Sequence, residues 1–171
     1  MSSIPIVSAE FNERCVHRQA SGNNEIWELL DRVKDPEIPV ISIWDLGILQ
    51  DVREEGGKVS VVITPTYSGC PAMREIEQDI HSVLEQAAYP NIEVISRLAP
   101  AWTTDWMSPV GRERLREYGI APPQQVAGKK QQCPLCGASD TSLISEFGST
   151  SCKALYKCNE CLEPFDYFKC I

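Results

Sequence analysis

Cys133-Pro-Leu-Cys136, then 21 residues beginning with Gly137, then Cys158-Asn-Glu-Cys161: this spacing decides how the C-terminal part of the chain folds. Each Cys-x-x-Cys pair lets one tight turn aim two thiolates at the same point, and two such turns close a tetrahedral four-thiolate shell. Gly137 follows the first pair, where a residue free to take positive φ helps backbone amides turn toward the sulfurs. Residues 133–171 are too few to build an ordinary core, so a bound ion should supply much of the folding energy. The spacing therefore predicts a zinc ribbon with Cys133, Cys136, Cys158 and Cys161 as ligands. A four-thiolate site also suits iron. Two disulfides are the ordinary alternative, and a reducing compartment disfavours them.

The rest of the 171-residue chain leaves room for one further domain. Its net charge of −8 speaks against a nucleic-acid partner, because such binding relies on Lys and Arg neutralising phosphates. The ribbon repeats that balance, with Lys153, Lys157 and Lys169 against Asp140, Glu146, Glu160, Glu163 and Asp166. No run approaches the ~18 apolar residues of a membrane span, so no membrane partner is expected. The first ten residues lack a basic segment followed by a long apolar one, which predicts a cytoplasmic protein. Cys15, Cys70, Cys152 and Cys170, the cysteines outside the ribbon shell, are then expected as thiols.

Residues 1–22 read as a loose extension. Asn23 or Asn24 can cap a helix through Glu25–Val33, with Ile26, Leu29, Leu30 and Val33 as its apolar stripe and Pro36 beyond its end. Ile48–Arg53 and Lys58–Thr64 flank Glu54-Glu-Gly-Gly57, a hairpin signal, and Val59, Val61 and Ile63 share one face. Pro71–Ala88 repeats Met73, Ile76, Ile80, Val83, Leu84 and Ala87 at helical spacing. Ile92–Leu98 is a third strand. A right-handed crossover through the intervening helix would make it parallel to the second. Ser108, Pro109 and Gly119 bound a last short helix. The fold class is α+β: a small αββαβα domain with a three-stranded mixed sheet over residues 23–120, a linker at 121–132, and the ribbon at 133–171.

Two segments of the larger domain carry chemistry. Cys70 stands in Thr64-Pro-Thr-Tyr-Ser-Gly-Cys70-Pro71, between a strand and a helix start, where unpaired amides and the helix dipole favour thiolate over thiol. Its bland reading is a small buried hydrophobe. Asp35-Pro-Glu37 and Trp44-Asp-Leu-Gly47 form the second segment, and their carboxylates serve either as turn ligands or as neighbours of Cys70. Cys152 reads as a spare buried thiol or a residue near a transferred metal. Trp102 and Trp106 read as core or as a partner anchor. Cys15, His17 and His81 receive no role.

Together, Asp35-Pro-Glu37, Trp44-Asp-Leu-Gly47, and Thr64-Pro65 followed by Cys70-Pro71 resemble the small-domain family of iron–sulfur cluster biosynthesis and carrier proteins. With the ribbon, Pro100-Ala-Trp-Thr-Thr-Asp-Trp106 and Phe147-Gly-Ser-Thr, nearly the whole chain is similar to the family of D proteins of bacterial phenylacetyl-CoA epoxidase systems. That resemblance implies a functional thiol and transient iron or cluster ligand at Cys70, with Asp35, Glu37 and Thr64 as neighbours. It also implies structural zinc in the ribbon. The implied partners are the epoxidase reductase and oxygenase components and the iron–sulfur assembly machinery, with a homodimer left open. The implied role is an accessory maturation factor, not a catalyst; the alternative is a structural or regulatory subunit of the complex. No diiron Glu-x-x-His pair or nucleotide fingerprint is present. Cys70 also lacks the second cysteine that a thiol redox enzyme would use.

Overall fold

Alternation sets the inside of the sheet. The computed structural model describes residues 7–124 and 130–169. The chain divides between Gly111 and Arg112 into two units. In the first unit, α1 (Ala9–Ala20) and α2 (Asn24–Leu30) precede β1 (Leu49–Glu55) and β2 (Lys58–Ile63). α3 (Met73–Gln86), β3 (Ile92–Ser96) and a 3₁₀ turn at Thr104–Trp106 follow, and α4 (Pro109–Glu117) runs across the division. β1 pairs antiparallel with β2, and β2 pairs parallel with β3, giving the mixed three-stranded sheet. Gly56 and Gly57 link the hairpin at φ 59° and 79°, the backbone that a two-residue type I′ turn requires. Val59, Val61 and Ile63 are buried, as are Ile76, Ile80 and Leu84 of α3 and Ile26, Trp27 and Leu30 of α2. Burying side chains of this size is worth roughly 1.5–3 kcal/mol each.

The ends of several elements differ from the sequence reading. α2 stops at Leu30, because Arg32 and Val33 amides close tight turns onto Leu29 and Leu30 carbonyls. The Val33 carbonyl then accepts from Ile43 N. α3 begins at Met73, two residues later than Pro71. β3 ends at Ser96. Ser108 does cap α4, accepting from Gly111 N at 2.8 Å.

The larger correction concerns the N-terminus. Residues 1–22 read as loose from the sequence, yet Ala9–Ala20 form a twelve-residue helix capped by Ser8, whose Oγ accepts from Phe11 N. Its packing rests on a cation. Arg14 is buried, its guanidinium 4.1 Å from the Trp44 ring centroid. It donates to the Leu49 carbonyl at 2.7 Å, to the Trp44 carbonyl at 3.3 Å, and to the Trp106 carbonyl. Arg18 forms two hydrogen bonds with Asp31, at 2.9 and 2.7 Å, and His17 meets Asp51 at 2.8 Å. An apolar-stripe criterion misses such a helix, since its contacts are polar and lie far away in sequence.

In the second unit, β4 (Ile120–Ala121), β5 (Thr141–Ser145), β6 (Lys153–Cys158) and β7 (Pro164–Phe168) form a four-stranded sheet in the order β4-β7-β6-β5. β4 pairs parallel with β7, so strand pairing reaches back into the stretch read as a linker from 121. Residues 125–129 of that stretch, and Cys170, lie outside the described residues. Ala121, Cys133, Ala154, Cys158, Phe165 and Tyr167 make a small core of their own. A Cβ at Gly148 would lie 2.5 Å from Asp166 Oδ1, so a larger residue there would make that carboxylate swing aside. Among the described residues no helix is long and apolar enough to cross a membrane.

Arg14→Met should destabilise the first unit by about 3 kcal/mol, because three backbone carbonyls, two of them bonded in the interior, lose a charged donor. All four tryptophans (27, 44, 102 and 106) lie in that unit, so their fluorescence in a urea titration isolates its unfolding. A change below about 0.5 kcal/mol, the level of a neutral surface substitution, would contradict the assigned role.

Candidate functional site

The ribbon sulfurs converge. Sγ atoms of Cys133, Cys136, Cys158 and Cys161 all lie within 4.8 Å of one another, with Cys133–Cys161 at 3.7 Å and Cys136–Cys158 at 3.6 Å. Four sulfurs held about 2.3 Å from one zinc stand about 3.8 Å apart on a tetrahedron. The donor set therefore fits a single tetrahedral ion.

Two equivalent turns create this geometry. In the first, Cys133 N donates to Ala138 O at 2.9 Å, and Gly137 sits at φ 77°. In the second, Cys158 N donates to Glu163 O at 3.0 Å, and Leu162 occupies the matching position at φ 66°. Leucine disfavours that backbone, so local propensity does not select it. Cys133 and Cys158 are buried in the core, while Cys136 and Cys161 face solvent. The Cys161 amide donates toward the Cys158 sulfur, bringing that thiol down to about 7. Amides of Ala138 and Glu163 favour the thiolates of Cys136 and Cys161, but desolvation and the neighbouring sulfurs outweigh them. Both thiols are pushed up, Cys161 to about 12. Four clustered thiols resist joint ionisation unless a cation sits among them.

Cys70 lies in the connection between β2 and α3 and is half-buried. Its amide donates to Tyr67 O, and its carbonyl accepts from Met73 N, so two successive turns lead the chain from strand into helix. Cys70 is thus one turn ahead of α3, whose N-cap is Ala72. Thr64 opens this connection. It is buried, its amide bonds Ile48 O at 2.8 Å, and its Oγ1 has no hydrogen-bond partner. An unsatisfied buried hydroxyl costs about 1–3 kcal/mol, which marks this spot as unusual.

Asp35 is buried, and its Oδ1 accepts from Glu37 N at 2.9 Å and Ile38 N at 2.8 Å. This is the turn-stabilising role typical of aspartate. Asp45 has a similar role: its carboxylate accepts from Ser42 and Ser108 hydroxyls at 3.0 and 2.6 Å. Gly111 must approach it closely, since a Cβ there would lie 2.8 Å from Asp45 O. Backbone bonds run from Asp35 N to Ile41 O, from Ile48 N to Ile43 O, and from Thr64 N to Ile48 O. Through Ile43 and Ile48 these bonds tie the end of the Asp35–Gly47 segment to Thr64, the first residue of the connection that carries Cys70. Cys70, Asp35 and Glu37 do not form a three-ligand cluster; among the described residues only the ribbon cysteines do.

Other candidates resolve simply. Trp102 is core, donating to Leu46 O, and Cys152 is buried in the turn before β6. Cys15 is half-buried on α1, where desolvation pushes its thiol up. The sequence reading assigns nothing to His17, yet it lines a cavity of about 280 Å³ with Asn23, Asp51 and Arg53.

Comparison with known proteins agrees with both modules. Residues 121–169 match the PaaD zinc beta ribbon domain, and residues 23–95 match the family described as iron-sulfur cluster assembly protein. An Escherichia coli protein described as a subunit of a "Putative 1,2-phenylacetyl-CoA epoxidase" is 51% identical over 86% of this chain and 93% of its own length. A Porphyromonas gingivalis "Fe-S protein maturation auxiliary factor" is 34% identical over 56% of this chain and 90% of its own. A Bacillus anthracis Domain of Unknown Function DUF59 crystal structure superposes with a TM-score of 0.51 at 29% identity, covering 59% of this chain and 96% of that one. With an end-to-end relative of that similarity, the chain belongs to the PaaD family, in which an iron–sulfur cluster assembly domain carries a zinc β-ribbon.

Proposed function

We propose that this chain is an accessory maturation factor of a phenylacetyl-CoA epoxidase system, working in the cytoplasm. It would assist assembly of an iron–sulfur cluster or iron centre in the reductase or oxygenase component. The observation that carries this reading is the likeness, over 86% of this chain and 93% of the relative, to a protein described as a subunit of that epoxidase. The assembly domain is also akin to a protein described as an Fe-S maturation factor.

In this reading, iron or a cluster is cargo. Cys70 offers one half-buried sulfur on a turn, and a single thiolate ligand exchanges more readily than a closed four-thiolate shell. The Thr64 hydroxyl, buried and lacking a partner, can donate to a sulfur or oxygen ligand of such cargo. Asp35 shapes the neighbouring turn through its two amide bonds, while Glu37 lies on that turn. Cys133, Cys136, Cys158 and Cys161 would hold one structural zinc, which supplies folding energy, and the ribbon would dock the client.

A second reading is a structural or regulatory subunit of the epoxidase, favoured because the E. coli relative is itself described as one of that enzyme's subunits. Purifying the epoxidase components from cells lacking this chain separates the two. Maturation predicts components low in iron or sulfide, and activity that no longer needs this chain once the metal is in place. Stoichiometric copurification with fully metallated enzyme supports the subunit reading instead.

Metal analysis of the purified chain should find about one zinc per molecule. Cys158→Ser should lose it and unfold the ribbon without altering the tryptophan fluorescence of the first unit. Metal-free protein with a folded ribbon would rule the zinc site out.

Cys70→Ser should preserve both the zinc and the fold. Cells carrying it should accumulate epoxidase components poor in iron or sulfide. At neutral pH, Cys70 should also alkylate faster than Cys15, whose thiol burial holds protonated. Iron-replete, fully active epoxidase in the Cys70→Ser strain would reduce Cys70 to a structural residue.

A further inference from the structure

The two edges of the first unit's sheet are treated differently. On β1, side chains cover the outward carbonyls: Asn23 Nδ2 donates to Val52 O at 3.0 Å, and Arg14 Nη2 to Leu49 O at 2.7 Å. β3 is the other edge strand. Its pairing with β2 starts at Val59 N to Asn91 O, 2.9 Å, and ends at Arg97 N to Ile63 O, 2.8 Å. In a parallel strand alternate residues point both backbone groups the same way. Residues 91, 93, 95 and 97 therefore face β2, and the amides and carbonyls of Ile92, Val94 and Ser96 point outward. Within the described residues no strand pairs with that side. The usual protections of an edge, a bulge, a proline or an inward lysine, are missing between Ile92 and Leu98. Ile95 is 41% exposed and Leu98 61%.

The sequence of this edge is complementary to itself. Consider a second copy laid antiparallel, with the two-fold axis through Ile95. Ile95 then faces Ile95, Glu93 faces Arg97, Ile92 faces Leu98, and Val94 faces Ser96. The outward-pointing residues, Ile92, Val94, Ser96 and Leu98, fall at the hydrogen-bonded positions. Ile95, Glu93 and Arg97 fall at the non-hydrogen-bonded positions, where Cα atoms approach to about 4.5 Å and side chains meet most closely. The symmetry supplies two Glu93–Arg97 pairs. Moving the axis to Val94 sets Glu93 against Ile95 and Asn91 against Arg97. Moving it to Ser96 sets Ile95 against Arg97. Only the Ile95 register matches charge with opposite charge and apolar with apolar.

We propose that two copies of this chain associate through β3, antiparallel about Ile95, joining their three-stranded sheets into one. The contact is isologous, so it closes as a dimer and does not propagate. Strand addition over about seven residues makes a small interface, below about 1,200 Å², so the dimer is a reversible one.

Sedimentation equilibrium of the full chain over a concentration series tests this. The expected result is a monomer–dimer equilibrium. I95K should leave only monomer, because two ammonium groups would meet on the axis. R97E should weaken association about tenfold or more, since it opposes Glu93 twice per dimer. E93R should do the same, although it also removes the 2.9 Å Lys58–Glu93 ion pair within the chain. The double variant E93R/R97E should dimerise again, a recovery that a merely misfolded single variant could not give. Tryptophan fluorescence checks the fold of each. The proposal is overturned if the unaltered chain is monomeric throughout, if R97E associates as well as the parent, or if the folded double variant stays monomeric. It is equally overturned if the β3 amides gain protection from hydrogen exchange only when the epoxidase components are added, because the edge would then belong to a client.

Discussion

A buried guanidinium organises the first unit. Arg14 satisfies backbone carbonyls from three separated places, Trp44, Leu49 and Trp106, while its face lies on the Trp44 ring. Burial lowers its pKa to about 10, which leaves it charged at neutral pH. Desolvating such an ion costs several kcal/mol, and its charge-assisted bonds to three backbone carbonyls offset it. The helix bearing Arg14 thereby orders the Trp44–Gly47 loop. Asp45 in that loop in turn holds Ser108 and the start of the last helix.

The ribbon solves the small-core problem differently. Six buried residues, two of them the cysteines Cys133 and Cys158, are few for a stable fold. Convergent sulfurs supply the rest once a cation sits among them, since binding free energy then becomes folding free energy. Desolvation and the neighbouring sulfurs push the Cys136 and Cys161 thiols up while Cys158 is lowered, so all four ionise together only with a counter-charge among them.

These two arrangements suit different work. Each pair of ribbon sulfurs is fixed by one backbone turn, and a closed four-thiolate shell of that kind would hold its ion firmly. Cys70 belongs to a half-buried connection between strand and helix, which opens six residues earlier at Thr64, whose buried hydroxyl finds no partner within the described residues. Asp35 is used by its own turn, where its carboxylate accepts from the Glu37 and Ile38 amides.

Local chemistry was legible in the chain. The paired Cys-x-x-Cys turns, the Gly56-Gly57 hairpin, the valine alternation of β2 and the Ile76–Ile80–Leu84 stripe each express a period or a turn preference within a few residues. Those features determine the mixed sheet and the ribbon. Leu162 could not be foreseen, because its left-handed backbone opposes its own propensity and belongs to the turn that closes from Cys158 N to Glu163 O. The first helix was equally hidden: it lacks an apolar stripe and is held through Arg14, Arg18 and His17. Its role, the burial of Asp35 and the unpartnered Thr64 hydroxyl were decided by tertiary structure alone. Which carbonyls and hydroxyls remain unbonded is settled only after the sheet has formed, and the residues that answer them lie tens of positions away in sequence.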